Sequence, residues 1–156
     1  MKKNILISLG VVLSLCLMGC SKEAKESTIN CSLTSNNTAS GYSLKSTYTI
    51  YAKKGEVEKV VTQEVVTSES STILSAFETT LNQTYSKTNE TYGGYTYKVT
   101  INGNTLTADT TIDYNKMDLA KYVEDNSSLK PYVNDNNMLT VDGLKTLYTS
   151  LGATCE

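Results

Sequence analysis

Strict alternation between apolar and polar residues is the feature that most constrains this sequence, because it predicts paired β-strands rather than helices. Residues 95–114 alternate on both sides of Asn102-Gly103, a dipeptide favoured in type I′ hairpin turns, where both turn positions need a positive φ. With these two residues as the loop, Val99 pairs with Leu106 across the hairpin, and the alternation places both on one face. The sequence therefore predicts an antiparallel hairpin with one apolar face.

Three further strands are predicted before this hairpin. Residues 28–33 form a short first strand, and residues 42–52 alternate cleanly. Lys54-Gly55 then makes a turn into a third strand over residues 57–67, whose valines populate both faces. Such a strand is expected at the centre of the sheet, covered on both sides along part of its length.

Helical spacing follows the third strand and returns near the end of the chain. Over residues 70–87 apolar residues recur every fourth position, which predicts a helix packed on the sheet. Asp118 is expected to cap a short helix reaching Glu124, and Thr140 to cap a last helix that Gly152 ends. The predicted fold class is α+β: an antiparallel sheet of about five strands with helices packed mainly on one face, in the order βββαββαα.

The first twenty residues separate a leader from this domain. A basic start precedes an apolar run too short for a membrane span, and Leu17-Met18-Gly19-Cys20 resembles the lipobox of bacterial lipoproteins. This implies a signal peptide over residues 1–19, a polar tether over residues 20–27 and one domain over residues 28–156. The expected location is the extracytoplasmic face of the cell membrane, to which a lipid on Cys20 anchors the chain.

The remaining cysteines predict a disulfide bond. Cys16 leaves with the leader and Cys20 carries the lipid, so the domain keeps only Cys31 and Cys155. Outside the membrane such a pair is expected to be oxidised, and the bridge would fasten the end of the chain to the first strand. The alternative is a redox-active pair, but redox dithiols usually have Cys-x-x-Cys spacing, which these two cysteines lack.

Composition excludes several classes of function. Without the two lysines of the leader, 12 of the 14 Lys remain against 16 acidic residues, so the mature chain has a net charge of −4. A negative net charge argues against a nucleic-acid partner. The sequence has no His and no Arg, so it offers no imidazole for acid–base chemistry or metal binding and no guanidinium for bidentate phosphate binding. We predict neither a metal site nor a cofactor.

The segment over residues 42–114 places two hairpins around a helix. Together with the stretch Tyr92-Gly93-Gly94-Tyr95-Thr96-Tyr97 and the later Ile112-Asp113-Tyr114, it resembles the YehR-like lipoproteins of bacteria. This resemblance covers about half of the chain and implies the same extracytoplasmic location and fold. Because that family has no established activity, the resemblance implies no site residues.

Three chemical motifs have simpler explanations. Ser127-Ser128-Leu129-Lys130 matches the S-x-x-K of penicillin-recognising enzymes but lacks their companion elements. Asp109 and Asp113 share a strand face roughly 13 Å apart, at ~3.3 Å per residue, which is too far for a glycosidase pair. Residues 135–142 depart from the calcium-loop template at Leu139. All three are expected to lie on a solvated surface.

Tyrosines are the strongest remaining indication of a binding surface, since the sequence has eleven Tyr, one Phe and no Trp. Tyr92, beside Gly93-Gly94, is expected at an exposed loop tip, and Tyr51 points away from the apolar face of its strand. The alternative interpretation is that most of these rings complete a modest core. Tyr92 and Tyr51 are therefore the candidate binding residues.

The function predicted from these features is a membrane-anchored, non-enzymatic binding or interaction module of the cell envelope. Its expected partners are the membrane, through the lipid on Cys20, and an envelope protein or small ligand, with no nucleic acid. The alternative is a small envelope-acting hydrolase that uses Ser, Lys and carboxylate groups alone. A third interpretation, a structural or immunity-type lipoprotein, differs from the first mainly in its partner.

Overall fold

A computed structural model of the chain describes residues 25–156, so Cys20, the signal peptide and most of the tether lie outside the described residues. The domain is α+β, as predicted, and its sheet is antiparallel. The strands are β1 (Glu26–Asn37), β2 (Tyr42–Lys53), β3 (Glu56–Thr67), β4 (Tyr95–Asn102), β5 (Thr105–Asp113) and β6 (Thr154–Cys155). The first strand thus begins inside the stretch predicted as tether.

The sheet has six strands in the order β4-β5-β3-β2-β1-β6, rather than about five. The additional strand, β6, is only two residues long and follows the last helix, so the order βββαββαα is extended by a final strand. A two-residue strand is too short to produce an alternation pattern. It pairs Cys31 with Cys155, and the disulfide bond predicted between these residues is present.

Three α-helices and two short 3₁₀ helices complete the domain. The α-helices are α1 (Ser71–Tyr92), α2 (Leu119–Asp125) and α3 (Val141–Ser150), and the 3₁₀ helices span Thr38–Ser40 and Ser127–Tyr132. Asp118 and Thr140 cap α2 and α3 as predicted, accepting hydrogen bonds from the backbone N–H of Lys121 and Gly143. In the described part of the chain no helix has the length and apolarity needed to cross a bilayer.

The two hairpin turns follow different rules. Lys54 and Gly55 have φ of 56° and 84°, the pair of positive values that a type I′ turn requires. In the β4–β5 hairpin, however, Asn102 stays in the strand and Gly103 and Asn104 form the turn. Only Gly103, with φ of 57°, is positive there, which is typical of glycine at the first position of a type II′ turn.

The predicted register of that hairpin is therefore wrong by two residues. Val99 pairs with Ala108, and Leu106 pairs with Ile101. Because side chains alternate with a period of two, a shift of two residues leaves every side chain on its predicted face. The alternation pattern could not detect the error, which came from assigning the turn to the wrong pair of residues.

The described helices all pack on one face of the sheet, against two separate apolar clusters. The disulfide-side cluster lies under α2, the second 3₁₀ helix and α3, and its buried members are Ile29, Cys31, Ile50, Val57, Val60, Tyr114, Met117, Leu119, Val123, Leu139, Leu144 and Ala153. The α1-side cluster is smaller and lies between α1 and the sheet; its buried members are Leu74 of α1 and Val66, Leu106 and Ala108 of the strands. Strand β3 is central, but Val61 and Val65 on its other face are partly exposed rather than covered.

Candidate functional site

The two tyrosines predicted to form a binding surface lie on opposite sides of the molecule. Tyr51 is on the uncovered face of β2, 37% exposed, with the Lys59 Nζ 4.3 Å from its ring centroid. Tyr92 is the last residue of α1 and is half-buried, so it is not at an exposed loop tip. Its ring meets Tyr122 edge-on at 5.0 Å, and its hydroxyl donates to Asp125 Oδ2.

A shallow depression lies beside Tyr51, with a volume of about 310 Å³. Two of its three carboxylates have cations nearby: Glu26 pairs with Lys53 at 3.8 Å, and Asp113 with Lys116 at 2.9 Å, whereas Glu58 forms no ion pair within the described residues. The Lys116 hydrogen bond holds the pKa of Asp113 below its usual value. These paired charges are satisfied without a ligand, so Tyr51 lies in a solvated surface rather than at a concentrated chemical site.

Polar side chains instead converge on the helix-covered face, between the two apolar clusters. The strand register places Ser46 of β2 directly beside Glu64 of β3, and Thr62 of β3 between Tyr48 and Thr110. We call Ser46, Thr62, Glu64 and Thr110 the polar belt. It crosses the three central strands, with apolar rows on either side.

Glu64 is the only charged residue of the belt. The Tyr85 hydroxyl, reaching from α1, donates a hydrogen bond of 2.9 Å to Glu64 Oε2. Within residues 25–156 the ion pairs join Lys53 to Glu26, Lys116 to Asp113 and Lys121 to Asp125, and none includes Glu64. A half-buried carboxylate therefore faces the interior of the domain with one phenol as its partner.

Two belt hydroxyls lack partners. Ser46 is 0% exposed and Thr110 is 4% exposed, and within the described residues neither side-chain oxygen has a partner in good hydrogen-bond geometry, although Ser46 lies close to the Tyr48 phenol and Thr110 to the Tyr85 phenol. Leaving a buried hydroxyl unsatisfied costs on the order of 1–3 kcal/mol. Apolar residues of similar size would remove that cost, so stability alone does not explain the belt.

Four tyrosines surround the belt. Tyr48 of β2 stacks on Tyr148 of α3, with ring centroids 4.3 Å apart. On the other side Tyr85 of α1 packs against Tyr97 of β4 at 5.5 Å. All four rings are partly buried, and the two pairs form an aromatic wall at both ends of the row that contains Thr62 and Thr110.

Three of these phenols, those of Tyr48, Tyr85 and Tyr148, are biased toward their neutral form. Burial raises the pKa of Tyr85, and the nearby charge of Glu64 raises it further. Burial likewise raises the pKa of Tyr148 and of Tyr48, although the Ser46 hydroxyl offsets part of the effect on Tyr48. The rings can therefore donate hydrogen bonds and present π-faces, but they do not supply a base at neutral pH.

Sequence reasoning missed Glu64, although the sequence carried a signal. Alternation along β3 puts Val60, Thr62, Glu64 and Val66 on one face, with a charged residue in the middle of the buried positions. A carboxylate at a position where the pattern demands an apolar residue is a departure from the local rule, and such departures concentrate at functional sites. Elsewhere in the described residues, no group of three potential metal ligands is found.

The comparisons with known proteins show the fold. No protein-family model matches this chain, and no curated protein is similar enough to count as a match. The NMR structure of the E. coli YehR protein is 17% identical, with a TM-score of 0.55 over 85% of this chain and 91% of that one. An NMR structure of a protein from Streptococcus pneumoniae TIGR4 is 15% identical, with a TM-score of 0.50 over 100% of this chain and 96% of that one. The likeness to YehR thus extends beyond residues 42–114 and concerns fold alone, and the lipid anchor stays a prediction.

Proposed function

We propose that the mature chain is a lipid-anchored binding module on the extracytoplasmic face of the cell membrane, with the polar belt as its ligand site. In this proposal the lipid on Cys20 fixes the location, and the domain binds an envelope protein or a small ligand without catalysing a reaction. The support for the anchor is the leader ending in Leu17-Met18-Gly19-Cys20.

One observation carries the assignment of the site. Ser46 and Thr110 are buried without partners in good hydrogen-bond geometry in the described residues; Ser46 lies opposite Glu64, a carboxylate that has no cation, and Thr110 lies diagonally from it. Each of these features lowers the stability of the free domain. A bound ligand that supplies donors and positive or polar groups would recover that free energy, which is the physical signature of a binding site.

The same chemistry favours binding over hydrolysis. A nucleophilic serine needs a base within hydrogen-bond reach, and the chain contains no His. Ser127 and Lys130, the S-x-x-K residues, lie exposed on a short 3₁₀ helix. The belt offers one lone carboxylate and neutral phenols, which suit recognition better than the activation of water.

The anchor is tested by metabolic labelling with a palmitate analogue in a bacterial host, followed by membrane fractionation. Wild-type protein is expected to be labelled and to remain with the membrane. Cys20→Ala is expected to lose the label, and Ser21→Ala serves as the matched control. Labelling of Cys20→Ala at the wild-type level would contradict the proposed anchor.

The belt is tested by photocrosslinking in the cell. In one variant the photoreactive p-benzoyl-phenylalanine replaces Tyr97, at the rim of the belt. In the control variant it replaces Lys98, the next residue, whose side chain points to the uncovered face. A crosslinked product is expected from position 97 and not from position 98. Equal products from both positions, or none above the Cys20→Ala background, would contradict binding at the belt.

A further inference from the structure

We infer that the group bound by the polar belt is an ammonium group carried by an organic molecule. The inference rests on the proposed function, because it names the chemical class of ligand for that same site. Three observations support it: the Glu64 carboxylate has no cation among the described residues, the buried hydroxyl of Ser46 lies opposite it, and tyrosine rings surround the belt.

Charge selects the sign of the ligand. Glu64 lies on a central strand, and none of the ion pairs found in residues 25–156 neutralises it. An anion would meet this carboxylate directly and be repelled. A cation placed beside Glu64 would be attracted more strongly than in water, because the half-buried surroundings lower the local dielectric.

The hydrogen-bonding groups select an N–H donor. Ser46 sits directly opposite Glu64 across the β2–β3 pair, where Cβ atoms are about 4.5–5.5 Å apart. A primary ammonium has three N–H donors, enough to reach the carboxylate and the Ser46 oxygen together. In the free protein the Tyr85 hydroxyl donates to Glu64, and the ligand's ammonium would displace it.

The aromatic wall selects an organic cation over a metal ion. The Tyr85 hydroxyl contacts the carboxylate, and the rings of Tyr48, Tyr97 and Tyr148 lie around the belt. Ammonium groups bind to such rings through cation–π attraction. Calcium and magnesium instead need six or more oxygen ligands, usually with several carboxylates. The belt supplies one carboxylate and has apolar rows on both sides, which suits the alkyl part of an organic molecule.

The experiment is an NMR titration of the full-length lipidated protein in detergent with n-butylammonium chloride, using sodium chloride at equal ionic strength as the control. Saturable shifts are expected at belt residues with butylammonium and not with sodium. Glu64→Gln keeps the size of the side chain and an acceptor for Tyr85 but removes the charge, so we expect roughly tenfold weaker binding. Glu124→Gln, at an exposed position on α2, removes the same charge and is expected to bind as the wild type does.

A second variant separates ligand contact from a purely structural effect. Ser46→Ala removes the partnerless hydroxyl, so we expect a higher melting temperature for the free protein but weaker butylammonium binding. Tetramethylammonium has no N–H to donate, and its binding is expected to be unchanged by Ser46→Ala. A structural role alone would not produce opposite effects on stability and binding.

Three results would overturn the ammonium assignment: no saturable binding of either ammonium ion, equal binding by Glu64→Gln and wild type, or belt shifts with sodium chloride. A neutral sugar that shifts the belt residues when ammonium ions do not would overturn the ligand class and leave the proposed binding module intact. The proposed function fails separately, if crosslinking from position 97 gives no product above that from position 98.

Discussion

The two apolar clusters on the helix-covered face both attach helices to the sheet, but they differ in the number of buried residues and in the length of the helices. The disulfide-side cluster buries twelve residues beneath α2, a 3₁₀ helix and α3, segments of seven, six and ten residues. Isolated helices of that length are marginal in water, so packing, caps and the disulfide must hold them. The α1-side cluster buries three sheet residues beneath one helix of 22 residues, and Leu74 is the one buried residue of that helix.

This difference predicts where the domain is rigid and where it can yield. The disulfide-side cluster joins several strands, including β1 and β6, to the loops and short helices. Helix α1, in contrast, packs on the sheet through few buried side chains. The belt lies between them, with Tyr148 provided by the rigid side and Tyr85 by the more adjustable side. Displacement of the Tyr85 hydroxyl by a ligand would therefore require movement on the side that holds fewer buried contacts.

The largest expected effect is unfolding at alkaline pH. Burial raises the pKa of Tyr114, Tyr95 and Tyr148 in the disulfide-side cluster above the ordinary value of 10.0. These tyrosines stabilise the fold fully below the pKa of the unfolded state, about 10, and that contribution is lost as the pH rises toward their higher folded pKa values. We expect circular dichroism and phenolate absorbance to report one cooperative alkaline transition.

Variants localise that transition to the rigid cluster. Tyr114→Phe removes a 7% exposed phenol and should make stability fall less steeply with pH above about 10. Tyr51→Phe, on the uncovered face, is the matched control and should leave the slope unchanged. An alkaline slope that Tyr114→Phe does not alter would show that the buried phenols do not drive the transition.

Loss of the disulfide is expected to have the next largest effect. The Cys31–Cys155 bridge closes a sequence separation of 124 residues, and in the chain-entropy model its removal lowers the free energy of unfolding by about 5 kcal/mol. The double variant Cys31→Ser/Cys155→Ser should unfold at a much lower urea concentration. Wild-type protein under reducing conditions should behave in the same way, and an unchanged midpoint in both would refute this contribution.

Equivalent truncations in the two clusters test their different rigidity. Leu144 and Leu74 are each 2% exposed, so replacement by Ala removes the same buried side chain. We expect Leu144→Ala to cost about 3 kcal/mol and Leu74→Ala about 2 kcal/mol, because α1 can settle into the space while the enclosed cluster cannot. Urea unfolding measures both values, and a larger cost for Leu74→Ala would reverse the comparison.

The smallest predicted effect concerns the helix caps. The Thr140 hydroxyl accepts the Gly143 N–H at 3.0 Å, so Thr140→Ala should lower stability by about 1 kcal/mol. Ser70 precedes α1 without a side-chain cap bond, and Ser70→Ala should change stability little. Similar losses from both variants in thermal unfolding would show that the cap bond is not what matters at Thr140.

Local chemistry made much of the fold predictable. The Lys54-Gly55 turn, the caps Asp118 and Thr140, and the stripe of α1 depend on residues close together in sequence, and each was predicted correctly. The register of the β4–β5 hairpin was not, because Asn102-Gly103 and Gly103-Asn104 are both plausible turns and give the same faces. Strand β6 was missed because a segment of two residues forms a strand only where it can pair with the edge of another strand, which here is β1.

The candidate site was less predictable than the fold. Tyr92 was expected at a loop tip because Gly93-Gly94 follows it, but α1 continues to Tyr92 and ends at Gly93. Counting tyrosines drew attention to aromatic side chains, and the rings that surround the belt come from four separate elements, β2, β4, α1 and α3. No local pattern brings those elements together.

The sequence by itself determined the α+β class, the Lys54-Gly55 turn, the caps Asp118 and Thr140, the alternating strand faces and the pair of cysteines that bond, because each follows from short-range spacing or from counting. Tertiary structure alone decided the register of the last hairpin, the sixth strand and the polar belt. Glu64 contacts residues that are distant in the sequence: Ser46, its partner on β2, is 18 residues away, and Tyr85, its hydrogen-bond donor, is 21 residues away. Which residues meet across such separations depends on how strands and helices pack, and a pattern of period two or 3.6 carries no information about that choice.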